Sequence, residues 1–130
     1  MTDAVTAIVL DASAMVDLLI GAPQAVDMRR RLRDSVIHVP AHFDAEVLSA
    51  LGRLSRAGAL PDEPAALIDA LARAPFSRDP LPALLQGAWR RRDGLRLVDA
   101  LYVELAERLG VPLVTTDARL SKAYRGAELP

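Results

Sequence analysis

Apolar positions along the 130-residue chain alternate between short continuous runs and longer stretches spaced by three and four. The continuous runs read as buried strands and the spaced stretches as amphipathic helices. Strands are expected over 5–10, over 36–39 up to Pro40, over 112–115, and briefly at Phe76 and Ser77, where Pro75, Pro80 and Pro82 leave little room. Helices are expected over 13–20 with Ser13 as cap, from Pro23 to 32, and over 41–57, 62–72, 83–92, 97–109 and 118–123. Gly21, Gly58 and Gly110 stand where three of these should end. Strands alternating with helices predict an α/β domain. Its central, mostly parallel sheet has four to five strands and helices on both faces. The length fits one domain, 1–130.

The 41–57 helix carries two stripes. Phe43, Val47, Ala50, Leu51 and Leu54 form an apolar one, and Glu46, Ser49, Arg53 and Arg56 form a polar one beside it. The second is either a solvated face or an acid continuing into a hydroxyl and two guanidiniums. Leu48, Leu51 and Trp89 are candidates for an apolar interface as well as for the core.

Chemistry enters at the strand ends. Ile8-Val9-Leu10 runs into Asp11, and Leu113-Val114 runs through Thr115 and Thr116 into Asp117. Ligands of an open parallel sheet sit at the carboxyl ends of its strands, so two acids distant in sequence should meet there. Each has a plainer role as a helix cap. Asp99 falls in the first turn of the 97–109 helix, where the macrodipole alone favours an acid. Asp44 and Glu46 compete on the 41–57 helix, and helical geometry leaves the choice open. Asp17, Asp27, Asp34, Asp62, Glu63, Asp69, Glu104, Glu107 and Glu128 read as solvated surface. His38, His42 and Glu46 repeat at intervals of four, but Pro40 breaks any helix between the histidines and argues against zinc.

Composition narrows the chemistry. With no cysteine there are no disulfides, thiol nucleophiles or zinc–thiolate sites. The net charge of −1 gives no global basic field, so nucleic acid would be held by local arginines. Only Lys122 among the 16 basic residues is not arginine; a GC-rich coding sequence also produces this bias. Asp3 and Asp11 interrupt the first apolar run, so no signal peptide is read there, and no run approaches the ~20 apolar residues of a membrane helix. The expected location is cytoplasmic.

Four segments together resemble PIN-domain ribonucleases. They are Ile8-Val9-Leu10-Asp11-Ala12-Ser13-Ala14, Phe43 through Leu51, Asp99-Ala100-Leu101-Tyr102-Val103-Glu104-Leu105-Ala106, and Leu113-Val114-Thr115-Thr116-Asp117-Ala118-Arg119-Leu120. Their order, spacing and total length are similar to the VapC toxins of toxin–antitoxin pairs, across essentially the whole chain. The resemblance implies a PIN-like fold and selects Glu46 over Asp44, giving Asp11, Glu46, Asp99 and Asp117 as the acidic set. Ser13 and Thr115 fall at its supporting hydroxyl positions. It implies RNA cleaved by metal-assisted hydrolysis to a 5′-phosphate and a 3′-hydroxyl, a homodimer, and inhibition by a VapB-type antitoxin.

Oxygen-only donors point to Mg²⁺ or Mn²⁺. Asp11 and Asp99 are first choices as ligands, with Glu46 and Asp117 binding a second ion about 4 Å away or orienting water. Arg53, Arg56, Arg91, Arg92 and Arg119 are candidate RNA contacts. Two alternatives remain. One is a catalytically silent module of the same fold. The other is a Mg²⁺-dependent phosphatase or a receiver domain. Ser13 stands where the phosphatase usually has its second Asp, and Lys122 lies outside any strand, where the receiver needs its lysine at a strand end.

Overall fold

A computed structural model describes residues 6–60 and 64–130. Five strands, β1 (Thr6–Leu10), β2 (Ser35–Pro40), β3 (Ser77–Asp79), β4 (Leu113–Val114) and β5 (Ala127–Glu128), form one sheet in the order β3-β2-β1-β4-β5. Every neighbouring pair is parallel. Seven helices connect them among the described residues: α1 (Ala12–Ile20), α2 (Ala25–Arg33), α3 (Phe43–Arg56), α4 (Pro64–Arg73), α5 (Leu85–Arg90), α6 (Leu97–Leu109) and α7 (Ala118–Ala123).

The central strand explains the layering. Ile8, Val9 and Leu10 are consecutive, and each is at most 1% exposed. Successive strand residues point to opposite faces, so both faces of β1 are covered. α6 packs against β1, β2 and β4 and also against α5. Accordingly Ala100, Leu101, Tyr102, Val103, Leu105 and Ala106 are buried almost all round the helix. Phe43, Val47 and Leu51 bring the apolar stripe of α3 into the same core.

Chain direction positions the site. The strand order steps from β1 to β2 to β3, then jumps back across β1 to β4 and on to β5. The reversal falls between β1 and β4, and a crevice opens beyond the carboxyl ends of two strands whose connections diverge. Asp11 follows β1 and Thr115 follows β4 at that crevice. The ladder reaches them: Asp11 N–H donates to Val114 O at 2.9 Å.

The expected elements recur with adjusted ends. α6 and α7 fall at the expected residues, and Gly110 ends α6 with φ of 66°. Ser13 does not cap α1: the helix begins at Ala12 with Asp11 in the cap position, and Ser13 lies inside the first turn. The 83–92 helix is replaced by a 3-10 turn at Pro82–Leu84 followed by the short α5. The strand near Phe76 shifts to Ser77–Asp79, where it pairs with His38, Val39 and Pro40. β5 has no expected counterpart, because two residues carry no periodicity; its place is fixed by Leu113 N–H to Gly126 O and Thr115 N–H to Glu128 O. Val5 in the first expected strand, and Asp62 and Glu63 near the fourth expected helix, lie outside the described residues.

Candidate active site

Two hydroxyls hold Asp11 by one oxygen. Ser13 Oγ donates to Asp11 Oδ2 at 2.5 Å, and Thr115 Oγ1 donates to the same atom at 2.8 Å. Each hydroxyl also accepts a backbone N–H: Thr116 on Ser13 at 3.3 Å, and Asp117 on Thr115 at 3.0 Å. The carboxyl ends of β1 and β4 are thereby locked together, while Oδ1 of Asp11 makes no hydrogen bond among the described residues. Asp11 is 5% exposed. Burial pushes its carboxyl above the ordinary aspartate value; Ser13 and Thr115 oppose that, and repulsion from Asp99 and Glu46 adds to it. A carboxylate buried beside like charges is a poor structural element and a good anchor for a cation.

Glu46 projects from the first turn of α3 and is fixed from α6. Tyr102 donates its hydroxyl to Glu46 Oε1 at 2.6 Å, and His42 Nε2 lies 3.2 Å from the same oxygen and 3.1 Å from Val98 O. Both neighbours of Nε2 accept, so that nitrogen carries the hydrogen, and Nδ1 is buried without a partner among the described residues. Burial alone would raise the Glu46 carboxyl, but the His42 and Tyr102 hydrogen bonds and the Arg96 charge outweigh it and hold the group below its usual range.

Asp99 is buried in the first turn of α6, and its two oxygens meet Arg96 Nε at 2.9 Å and Nη2 at 3.3 Å. Asp117 is the true cap of α7, accepting Arg119 N–H at 2.9 Å and Leu120 N–H at 3.4 Å through Oδ1. All four acids line one cavity of about 270 Å³ with Ser13, Arg53 and Arg96. Asp44, the competitor of Glu46, points elsewhere, bonded twice to Arg78 at 2.6 and 3.0 Å.

The arginines divide. Arg53 lines the cavity, and Arg119 lines an adjoining groove with Arg96. Arg56, one turn past Arg53, does not reach the cavity. Arg91 is turned away by Glu104, which it meets at 3.1 Å. Arg92 lies 4.8 Å above the Trp89 ring. Trp89 and Leu48 are exposed and Leu51 is core. Four contributors were not assigned to this site from the sequence, His42 having been weighed only as a zinc ligand. Asp17, taken as solvated surface, lines the cavity from α1; its position one turn after Ser13 was the available signal. Arg96 precedes Asp99 by three residues, Tyr102 follows it by three, and His42 precedes Glu46 by four, all spacings that meet on one helix face.

The donor set suits a hard divalent cation: carboxylates and hydroxyls, with no thiolate in the chain. As the side chains stand, no three among the described residues close on one point. Asp99 faces Arg96, Glu46 faces Tyr102 and His42, and Asp11 is held by its hydroxyls. The donors fit the ion by chemistry and number, and they share one cavity. The larger apolar groove of about 480 Å³ along Leu85, Trp89 and Leu97 carries no acid and is separate from this chemistry.

Comparison with known proteins agrees with this fold. The PIN domain family model matches residues 8–126. The chain is 55% identical to Ribonuclease VapC3 of Mycobacterium tuberculosis, with 92% of this chain and 89% of that protein covered. It is 40% identical to Ribonuclease VapC12 of the same species, with 90% and 92% covered. The crystal structure of PAE2754 from Pyrobaculum aerophilum superposes with a TM-score of 0.70 at 27% identity, covering 96% of this chain and 84% of that one. Mycobacterium tuberculosis VapC20, described as a sarcin–ricin loop cleaving toxin, superposes with a TM-score of 0.68 at 19% identity over 89% and 94%, a likeness of fold alone.

Proposed function

The chain belongs to the PIN-domain family and to its VapC-type ribonucleases, and from that premise we propose that it is a toxin that hydrolyses RNA phosphodiesters with the help of Mg²⁺ or Mn²⁺. The observation that carries this reading is the meeting of Asp11, Glu46, Asp99 and Asp117 in one cavity at the β1/β4 reversal. Asp11 and Asp99 are the residues that would hold the cation, with Glu46 and Asp117 beside them. When bound, the ion supplies positive charge that activates the attacking water and neutralises the leaving oxygen.

The chain's own residues prepare the rest. Ser13 and Thr115 fix Asp11 through Oδ2, leaving its other oxygen for a ligand. Tyr102 and His42 keep Glu46 ionised and oriented. Asp117 is set by the same hydroxyl that sets Asp11. Arg53 at the cavity wall supplies a phosphate contact. No side-chain nucleophile is required.

The partners of this reading are a VapB-type antitoxin and a second copy of the chain. The exposed apolar groove bordered by Trp89, Leu85 and Leu97 offers surface for a partner chain. Among the described residues no helix is long and apolar enough to cross a membrane, and the place of action in this reading is the cytoplasm.

The test is incubation of total RNA with purified, partner-free protein in Mg²⁺, in EDTA, and with Asp99→Asn in Mg²⁺. Discrete fragments only with wild-type protein and Mg²⁺ support the reading, and their sequenced ends name the target. Equal cleavage in EDTA rejects the metal, and equal cleavage by Asp99→Asn rejects the site.

A further inference from the structure

Arg96 stands at the joint of two cavities. With Asp99 it lines the acidic pocket, and the same two residues line a smaller groove of about 140 Å³ walled by Gly94, Leu95, Leu120 and Arg119. The pair is unequal: the Arg96 side chain is 60% exposed and that of Asp99 13%. Arg96 is the residue before α6, where its backbone is extended and its side chain makes no capping bond. Its backbone is therefore placed by the helix start, and among the described residues its guanidinium is held only by Asp99. Water can solvate the released guanidinium, whereas the buried Asp99 carboxylate needs another positive charge in its place.

Two demands then fall on one side chain. Arg96 bonds both oxygens of a proposed metal ligand, so a divalent cation approaching Asp99 meets a resident positive charge. A phosphodiester approaching the pocket meets the opposite problem, since five acids line it with only two arginines, Arg53 and Arg96. The planar fork of a guanidinium suits phosphate as well as carboxylate.

We propose that Arg96 is a substrate-positioning residue that exchanges partners, yielding Asp99 to the cation and taking a phosphate oxygen of the RNA strand where it passes from the acidic pocket into the groove beside Arg119. The proposal rests on the nuclease reading above and assigns the direction of the strand on the surface. Arg119, whose Nη2 lies 3.8 Å from Asp117, is the next cation along that track.

The experiment compares wild type, Arg96→Gln and Arg96→Lys by two binding measurements. Mn²⁺ uptake is followed by the electron paramagnetic resonance of the free ion. Binding of a labelled 2′-O-methyl oligoribonucleotide of mixed sequence is followed by anisotropy in Ca²⁺ across a range of KCl. Arg96→Gln is expected to bind Mn²⁺ about fivefold tighter, the size of an exposed ion pair. Its oligonucleotide affinity is expected to fall about fivefold, and its log–log salt slope to shrink by about one, the signature of one lost phosphate contact. Arg96→Lys, which keeps the charge, returns both toward wild type. Unchanged Mn²⁺ affinity in Arg96→Gln overturns the proposal, and so does an unchanged salt slope. Wild-type protein that takes up no Mn²⁺ overturns the nuclease reading itself, and this proposal with it, before any variant is compared.

Discussion

Tyr102 on α6 donates its hydroxyl to Glu46 on α3 across 2.6 Å, tying the two helices at the floor of the acidic pocket. The phenol is fully buried, and its only polar atom is spent on the one carboxylate that a neighbouring His42 also reaches.

Tyr102→Phe removes that donor and leaves the ring in place. A hydrogen bond to a charged group contributes about 1.5–3 kcal/mol, and stability at neutral pH is expected to fall by that amount. The pH dependence gives a second readout. Glu46 is held below its ordinary value in the folded state, so its contribution is present above the unfolded value of 4.5 and is lost as pH falls through the folded one. Without the phenol the folded value rises toward the unfolded one, so the acid limb of the stability curve becomes smaller and is complete at higher pH. Thermal melts across the acid range check both. Cleavage should drop about tenfold through kcat, with KM nearly unchanged, because Glu46 is misoriented and not removed.

Asp11→Asn separates the cost of the site from its use. The folded Asp11 carboxyl lies above its ordinary value of 3.8, so the folded chain binds its proton more tightly than the unfolded one. Without metal, stability from this group is present below that value and is lost as pH rises through the folded one. In EDTA the variant should therefore gain on wild type as pH rises from 4 toward 7. With Mg²⁺ the order reverses, because only wild type gains the RT ln(1 + [L]/Kd) of a ligand that binds the folded state. Melting curves with and without Mg²⁺ decide; a variant less stable in EDTA at neutral pH would refute the account of Asp11 as a strained anion.

The sequence carried the outline of this site because its parts have local signatures. Asp11 and Asp117 follow apolar runs that end abruptly, and Asp99 lies in the first turn of a helix that stays largely buried as far as Ala106. Asp44 and Glu46 could not be separated by periodicity, since both lie in the first turn of α3. What separates them is Arg78, a residue of β3 that takes Asp44 with two bonds, and no local pattern foretells a contact across 34 positions. The contact made by Arg91 was hidden for the same reason. Arg91 looked available until Glu104, on the facing helix, claimed it. β5 was illegible because its two residues owe their conformation to β4 alone.

Thr115→Val tests how the strand ends are joined. Thr115 is wholly buried, and its hydroxyl both donates to Asp11 and accepts from the Asp117 backbone. Valine keeps the shape, strands the Asp117 N–H and leaves Asp11 Oδ2 to Ser13 alone. The expected loss is about 2–3 kcal/mol, the sum of an unpaired buried amide and a weakened charged hydrogen bond. Mg²⁺ should still stabilise the variant, since Asp11 and Asp99 persist, but by less than wild type. Denaturant unfolding with and without Mg²⁺ measures both effects. Stability equal to wild type would mean that Ser13 alone joins the two strands.

Tyr124 gives a control at the far side of the molecule. Its hydroxyl donates to Glu107 Oε1 at 3.0 Å, linking the residue after α7 to the end of α6. Burial first, then the hydrogen bond to Glu107, push the phenol from 10.0 up to about 12. A phenol raised in the folded state contributes stability that is complete below the unfolded value and declines as pH rises from 10 through the folded one. Wild-type protein should therefore lose stability in that alkaline window, and Tyr124→Phe should lose less. At neutral pH the variant should be weaker by about 0.5 kcal/mol, the lower range for a solvent-exposed hydrogen bond. Cleavage is expected to be unchanged, because Tyr124 lies outside the acidic pocket. An alkaline limb identical in the two proteins would remove Tyr124 as its source.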